Sequence, residues 1–157
     1  VLFPSLSLFE ETSDCESGPE PHFLSPWAKT KIGTFQARLE LVLRKRELRG
    51  VGKYGISSVS SALLINMVNE SFGFNGWLSQ ILDCHIASQN FDDEKNEYSM
   101  VQTATVRIVL DDGTEVEAKG NGEVRGLPSK YQCLGTSRKM ACTDGLRNAF
   151  LKFPDLL

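Results

Sequence analysis

Asn69-Glu70-Ser71-Phe72-Gly73-Phe74-Asn75-Gly76-Trp77 is the stretch on which the reading of this chain turns. Three aromatics and two glycines crowd a point where a helical apolar pattern gives way to an alternating one. Glycine takes positive φ without a Cβ clash, so Gly73 is expected to end a helix and Gly76 to set the start of the next element. Phe72, Phe74 and Trp77 are expected to pin that junction into a core. The segment holds no cation, so it reads as a hinge joining helix to sheet and not as a ligand site.

Upstream of the hinge, Ile32, Phe35, Leu39, Val42 and Leu43 recur at three- and four-residue spacing, which predicts a one-sided helix over about Lys29 to Leu48. Gly50 to Ser57 reads as a Gly-rich loop carrying Lys53 and Tyr54. A second helix, from about Ser58 to Phe72, uses Leu63, Leu64, Met67, Val68 and Phe72 as its apolar stripe.

Downstream, the period changes to two, and Leu78, Leu82, Cys84 and Ile86 are expected on one face of a first strand. Asn90 to Asn96 is acidic and turn-like. A second strand over about Tyr98 to Leu110 puts Tyr98, Met100, Ala104, Val106, Ile108 and Leu110 on one face, and Thr103, Thr105 and Arg107 on the other. Leu110-Asp111-Asp112-Gly113-Thr114 signals a hairpin. Matching apolar faces pairs Leu110 with Thr114, Ile108 with Val116 and Val106 with Ala118, so a three-residue loop with Gly113 left-handed is predicted. That register sets Arg107 opposite Glu117, an ordinary cross-strand ion pair. Gly120 to Lys130 reads as a connection, and Gln132 to Phe153 as a final helix. Ala141, Cys142, Gly145, Leu146, Ala149, Phe150 and Phe153 gather on one side of it, while Lys139, Thr143, Arg147 and Asn148 lie away. The layout is α+β: helices packed on a three-stranded antiparallel meander, followed by a C-terminal helix.

The chain has 157 residues, 41% of them apolar and 24% charged, and reads as one globular domain over residues 26–157 behind an acidic, Pro/Ser-rich, disordered arm over 1–25. No apolar run approaches the roughly 20 residues that span a bilayer, and Val1 to Leu8 has no basic flank, so no membrane partner and no signal peptide are expected. Cys15, Cys84, Cys133 and Cys142 lack paired spacing, which favours a reducing compartment. Cys84 and His85 point to opposite faces of a strand, so no metal site is expected. The net charge of −3 hides a division. Residues 1–24 hold five acidic residues and no Lys or Arg, leaving 17 basic against 15 acidic residues in the remainder. A site for nucleic acid must then come from local clustering.

Enzyme chemistry has little support. Gly120-x-Gly122-x-x-x-Gly126 lacks the dinucleotide-binding spacing, and Gly50-Val51-Gly52-Lys53-Tyr54 lacks the spacing and hydroxyl residue of a phosphate-binding P-loop. No G-x-S-x-G elbow anchors a triad. No catalytic residue and no cofactor are expected. Binding has more: Arg44, Lys45, Arg46, Arg49, Lys53 and Tyr54 near the first helix's end, then Arg125, Lys130, Arg138, Lys139 and Arg147, are the pieces from which a cationic groove for single strands is built. Taken separately, each cluster reads first as a solvated face, and cations at a helix C-terminus also suit the helix dipole.

The hinge resembles the N-E-x-F-G-[YF]-[ND]-G-W signature of the Rad52/Rad59 family of single-strand DNA annealing proteins. Trp27-x-x-x-x-Ile32-Gly33-x-x-Gln36 is similar to the opening of that family's annealing domain, and Val106-x-x-x-Leu110-x-Asp112-Gly113 to its hairpin. Ser137-Arg138-Lys139-x-Ala141-x-Thr143-Asp144-Gly145-Leu146-Arg147-x-Ala149 resembles its terminal helix. The four motifs occur in the family's order and cover about residues 27 to 153.

The resemblance implies a β-β-β-α core whose subunits join in rings or arcs, with ssDNA held between sheet and helices. It also implies ATP-independent annealing of complementary strands in nuclear recombination and double-strand break repair. Arg147 matches a basic groove position, Lys130, Arg138 and Lys139 match basic positions of the terminal helix and its approach, and Arg44 to Arg49 with Lys53-Tyr54 fall where the family lines its groove. Asn148 and Leu151 stand where relatives often carry further Arg, and Pro128 replaces a commonly basic position. Those departures, and a chain ending just after the terminal helix, point to a short Rad59-like accessory member, with a larger paralogue as partner. The rival reading is a subunit of mixed rings with weak or no DNA binding of its own. Arg147→Ala is expected to weaken ssDNA binding without lowering the melting temperature.

Overall fold

The computed structural model describes residues 23–49 and 59–157. Most of the expected arm, and the Gly-rich loop with Lys53 and Tyr54, lie outside the described residues. The element order is α1 (Pro26–Leu48), α2 (Ser61–Phe72), β1 (Trp77–Asp92), β2 (Glu97–Leu110), β3 (Glu115–Leu127) and α3 (Lys130–Lys152), closed by a 3-10 turn at Phe153–Leu156. The three strands form one antiparallel sheet in the order β1-β2-β3. This is the α+β layout expected from the sequence.

α1 begins three residues earlier than its apolar stripe suggests, because Ser25 caps it and Pro26 occupies the first turn, where a missing N–H costs nothing. The Ser25 hydroxyl oxygen accepts from the Ala28 N–H at 3.0 Å, and the same hydroxyl donates to the Asp112 carboxylate at the tip of the β2–β3 hairpin. Ala28, Ile32, Phe35 and Leu39 are the buried stripe. α2 is capped by Ser60, whose oxygen accepts from the Leu63 N–H at 3.2 Å.

The hinge works as its residues dictate. α2 ends at Phe72, and Gly73 follows with φ +82°. A Cβ on Gly76 would stand 1.9 Å from the Phe72 carbonyl oxygen, so only glycine lets the chain fold back there. The Trp77 indole N–H donates to the Asn69 side-chain oxygen at 2.8 Å, locking the first strand residue to the last turn of α2. Phe72 meets Trp27, Phe35 and Phe153 at ring-centroid distances of 6.5, 6.2 and 5.6 Å, and Trp77 stands edge-on to Phe150 at 5.2 Å. Phe74 does not join them: it is 84% exposed, since the turn between the glycines carries it outward.

The hairpin has the predicted register. Arg107 opposes Glu117, Val106 opposes Ala118, Ile108 opposes Val116, and Gly113 takes φ +88°. β1 departs from its expected face. Register shifts between Ile81 and Asp83 and between Ile86 and Ser88 insert extra residues, so Leu78 opposes Val109 while Cys84 opposes Ala104 and Ile86 opposes Gln102. Leu78 therefore lies on the face opposite Cys84 and Ile86, because each bulge inverts the alternation. β1 also continues to Asp92, shortening the acidic turn, in which the Asp92 carboxylate accepts the Glu94 N–H at 3.0 Å.

The larger correction concerns Gly120 to Lys130. This segment is not a connection: β3 runs to Leu127 and α3 starts at Lys130. Gly120 and Gly122 are buried strand residues pressed against helix backbone. A Cβ on Gly120 would lie 2.0 Å from the Gly145 nitrogen, and one on Gly122 would lie 2.1 Å from the Ser137 carbonyl oxygen. α3 answers with Cys133, Ser137, Ala141, Gly145 and Ala149, small residues buried at every fourth position. The glycines mark close backbone approach and not a turn.

Candidate nucleic-acid interface

α3 crosses the inner face of β2 and β3, and its flank ties down the free edge of β3. The Asp144 carboxylate accepts the Asn121 N–H at 3.0 Å, the Asn148 amide donates to the Lys119 carbonyl at 2.9 Å, and the Lys152 ammonium donates to the Glu117 carbonyl at 2.7 Å. These three side chains, four residues apart, satisfy outward backbone groups of an edge strand and so blunt it against further pairing. The helical projection sets Asn148 away from the packed side, and the structure makes it one of these edge ties. β1, the other edge, has no such cover among the described residues: Leu78, Ile81, Leu82 and Ile86 are each 43% to 57% exposed.

Beside the β3 edge lies a cleft of about 500 Å³, closed by Ser61 at the start of α2, Asn121 of β3, and Thr136, Met140 and Lys139 of α3. Thr143, Asp144 and Arg147 complete its α3 wall. Lys139, Thr143 and Arg147 follow one another at four-residue intervals, so one stripe of the helix presents two cations with a hydroxyl between them. The N-terminus of α2 opens on the same cleft, and its backbone N–H groups add positive potential. Asp144 is the opposing charge, and two hydrogen bonds occupy one of its oxygens: from the Asn121 N–H and, at 3.4 Å, from the Asn148 amide.

The two cations differ in freedom. Lys139 is exposed and takes part in no ion pair among the described residues. Arg147 is half-buried, and its guanidinium donates to the carbonyl oxygen of Val59, the residue that leads into α2. Arg147 thus joins α3 to the start of α2 as well as facing the cleft. The expectation that its removal leaves stability untouched is revised accordingly: truncation strands a carbonyl beside a buried Val59.

The remaining sequence-predicted residues are spread around the molecule. Arg44, Lys45 and Arg46 sit in the last turns of α1 and Arg49 is its C-cap residue, where positive charge complements the helix dipole. Arg125, near the far end of β3, bonds the Glu123 carboxylate at 2.6 Å through Nε, which ties up its charge locally. Lys130 opens α3 and is exposed. Arg138 is exposed one helical turn before Cys142, and its charge acts on that thiol. Lys53 and Tyr54 lie outside the described residues. Of the predicted set, Lys139 and Arg147 are the two brought to one cleft.

The polar walls, Ser61, Asn121, Thr136 and Thr143, were not among the predicted site residues. Thr143 and Lys139 were visible as neighbours of Arg147 at helical spacing. Asn121 is hidden in the sequence because glycines make its segment of β3 resemble a connection.

Comparison with known proteins places these features in a family. The pattern of the Rad52/22 family of double-strand break repair proteins matches residues 31–157, which hold every described element from within α1 onward. The chain is 31% identical to DNA repair protein RAD59 of Eremothecium gossypii, over 85% of this chain and 69% of that protein. It is 28% identical to DNA repair protein RAD59 of Saccharomyces cerevisiae over 85% of this chain, and spans 60% of that relative. It is also 27% identical to DNA repair and recombination protein rad22 of Schizosaccharomyces pombe, over 95% of this chain and 32% of that longer protein. That match spans the hinge, the hairpin and α3, and the chain is a member of the Rad52/22 family of double-strand break repair proteins.

Proposed function

We propose that this protein binds single-stranded DNA and anneals complementary strands without ATP, in homologous recombination and double-strand break repair in the nucleus. The observation that carries the reading is the cleft beside the β3 edge, where Lys139 and Arg147 face the N-terminus of α2 across neutral hydroxyl and amide groups. Cations with flexible donors suit a phosphate backbone, while among the described residues no aromatic ring lines the cleft to capture bases by stacking. A strand held by its phosphates keeps its bases available for a complement. Acceleration then comes from holding the strand extended and close to its partner, with no covalent step and no cofactor.

Self-association into a ring or arc fits the contrast between the two sheet edges. β3 is tied down by α3, whereas β1 offers unpaired backbone and exposed apolar side chains along its length. The same surface supports a second reading, an accessory subunit that joins rings of a larger paralogue and binds DNA weakly. Arg125 paired with Glu123, and Asn148 spent on the β3 edge, reduce the cations left for phosphate and favour that alternative. Mixing complementary labelled oligonucleotides with the protein in the absence of nucleotide decides between them. Faster duplex formation than with buffer alone is expected of an annealing protein; unchanged kinetics with a folded protein sinks the first reading and leaves the accessory one.

A further inference from the structure

On the side of α3 away from the cleft, two thiols meet. Cys84 opposes Ala104, a fully buried residue under α3, so its side chain points to the helix-bearing face of the sheet. Cys142 lies on the flank of α3 toward β1, beside a small pocket of about 150 Å³ between Ile81 and Leu146. The row Cys84–Ala104–Gly120 crosses the sheet, and Gly120 lies against the α3 backbone at Ala141 and Gly145, which sets Cys142 over Cys84; Cys84 also donates to the Gln102 side-chain oxygen at 3.5 Å. Gln102 is itself held by bonds of 2.8 Å from its amide to the Leu134 carbonyl and the Ser137 hydroxyl oxygen. Both cysteines are half-buried, so a small oxidant reaches them, whereas Cys133 is fully buried.

We propose that Cys84 and Cys142 form a reversible disulfide that fastens the open edge strand β1 to α3. One sulfur, as thiolate, attacks the outer oxygen of a hydroperoxide; the O–O bond breaks and leaves a sulfenic acid and an alcohol, or water when the oxidant is hydrogen peroxide. The second thiol's sulfur then displaces hydroxide from the first, forming the S–S bond, and its proton leaves in the water released. A dithiol reductant reverses the bond by exchange. Bringing the sulfurs to bonding distance, about 2.05 Å, needs a closure of β1 toward α3.

Cys142 has its thiol pushed above the ordinary range, by burial first and then by the charge and hydrogen bond of Cys84, with the Arg138 guanidinium acting in the opposite sense. His85 and Asp83 pair with each other at 2.6 Å as neighbours on β1. Thiolate at Cys142 is scarce near neutrality and grows with pH, so the bond is expected to form faster as pH rises through the thiol range.

Treating the folded chain, with Cys15→Ser to remove the thiol outside the described residues, with hydrogen peroxide and mapping peptides without reduction tests this. The expected product is a monomer lighter by two hydrogens, with a Cys84–Cys142 linked peptide, a melting temperature raised relative to the reduced form, and reversal by dithiothreitol. Cys84→Ser and Cys142→Ser should each abolish the linked peptide, and Cys133→Ser should leave it. Sulfinic acid at Cys84 or Cys142 with no cross-link, or a linkage that survives either substitution, overturns the proposal; the wild-type map decides even if a variant fails to fold.

Discussion

Single side chains in this protein carry more than one duty, and substitutions separate them. Lys139 is free on the cleft, so Lys139→Ala should leave the melting temperature unchanged and weaken ssDNA binding, with the salt dependence of log K reduced by about 0.7 for a single lost phosphate contact. Arg147→Ala should do both things at once: weaken binding and destabilise by about 1–2 kcal/mol, because the Val59 carbonyl loses its donor. Comparing the two variants by thermal melting and fluorescence anisotropy checks the distinction. Gln102 is buried with its amide shared between the Leu134 carbonyl and Ser137. Gln102→Leu should lower stability by about 1–3 kcal/mol in urea titration, since two buried hydrogen bonds are lost, although the Leu134 carbonyl keeps the Ser137 hydroxyl as a donor. The residue-scale reading from sequence found Lys139 and Arg147 because cations are conspicuous. It missed that Arg147 is structural as well, because the Val59 carbonyl it serves lies 88 residues away in the chain.

Glycine positions decide the fit of α3 on the sheet. Gly120→Ala and Gly122→Ala force a methyl into helix backbone that cannot turn aside, and each should cost at least the roughly 1–3 kcal/mol of an overpacked core. Gly135, on the same helix, is exposed with nothing near its absent Cβ, so Gly135→Ala should stabilise by about 1 kcal/mol. Opposite signs from the same substitution, read by urea denaturation, test the packing directly.

At the hairpin tip, Asp112 links β2–β3 to the start of α1. Partial burial opposes its ionisation, but hydrogen bonds from the Ser25 hydroxyl and from Thr114 outweigh that and hold its carboxyl below the ordinary range. A depressed folded value means the stabilisation is complete above the unfolded carboxylate value of about 4 and fades as pH falls through the lower folded value. Asp112→Asn should therefore flatten that acid limb of the pH–stability curve.

Elements were legible where a strong local rule applied. The hairpin register followed from matching apolar faces, and the hinge from two glycines beside three aromatics. β1 failed because bulges invert side-chain alternation without any marker in the residues themselves. The end of β3 departs from the sequence reading because glycine punctuates a turn and permits close packing in the same letters, and only the partner surface, the small stripe from Cys133 to Ala149, tells them apart.

At the scale of the whole fold, α3 covers one sheet face and ties down one edge, and among the described residues the other edge is open. The core gathers where α1, α2, the hairpin end and the last turn of α3 meet around Phe35, Phe72, Phe150 and Phe153. That leaves the cleft on one flank of α3 and the thiol pair on the other. Net charge gives no direct guide to this, since a chain at −3 still carries six cations on α1 and five on α3. The fold class was legible from periodicity and motif order; the cleft was not, because it is assembled from α2, β3 and α3, whose meeting depends on helix–sheet contact.

The central claim is that this face holds a phosphate backbone. Anisotropy of a labelled strand of ~30 nucleotides, titrated with protein across a range of salt, tests it most directly. The account predicts measurable binding at low salt, a linear fall of log K with log salt, and a shallower slope for Lys139→Ala. No binding by the folded protein at low salt, or binding indifferent to salt and to Lys139, would contradict it.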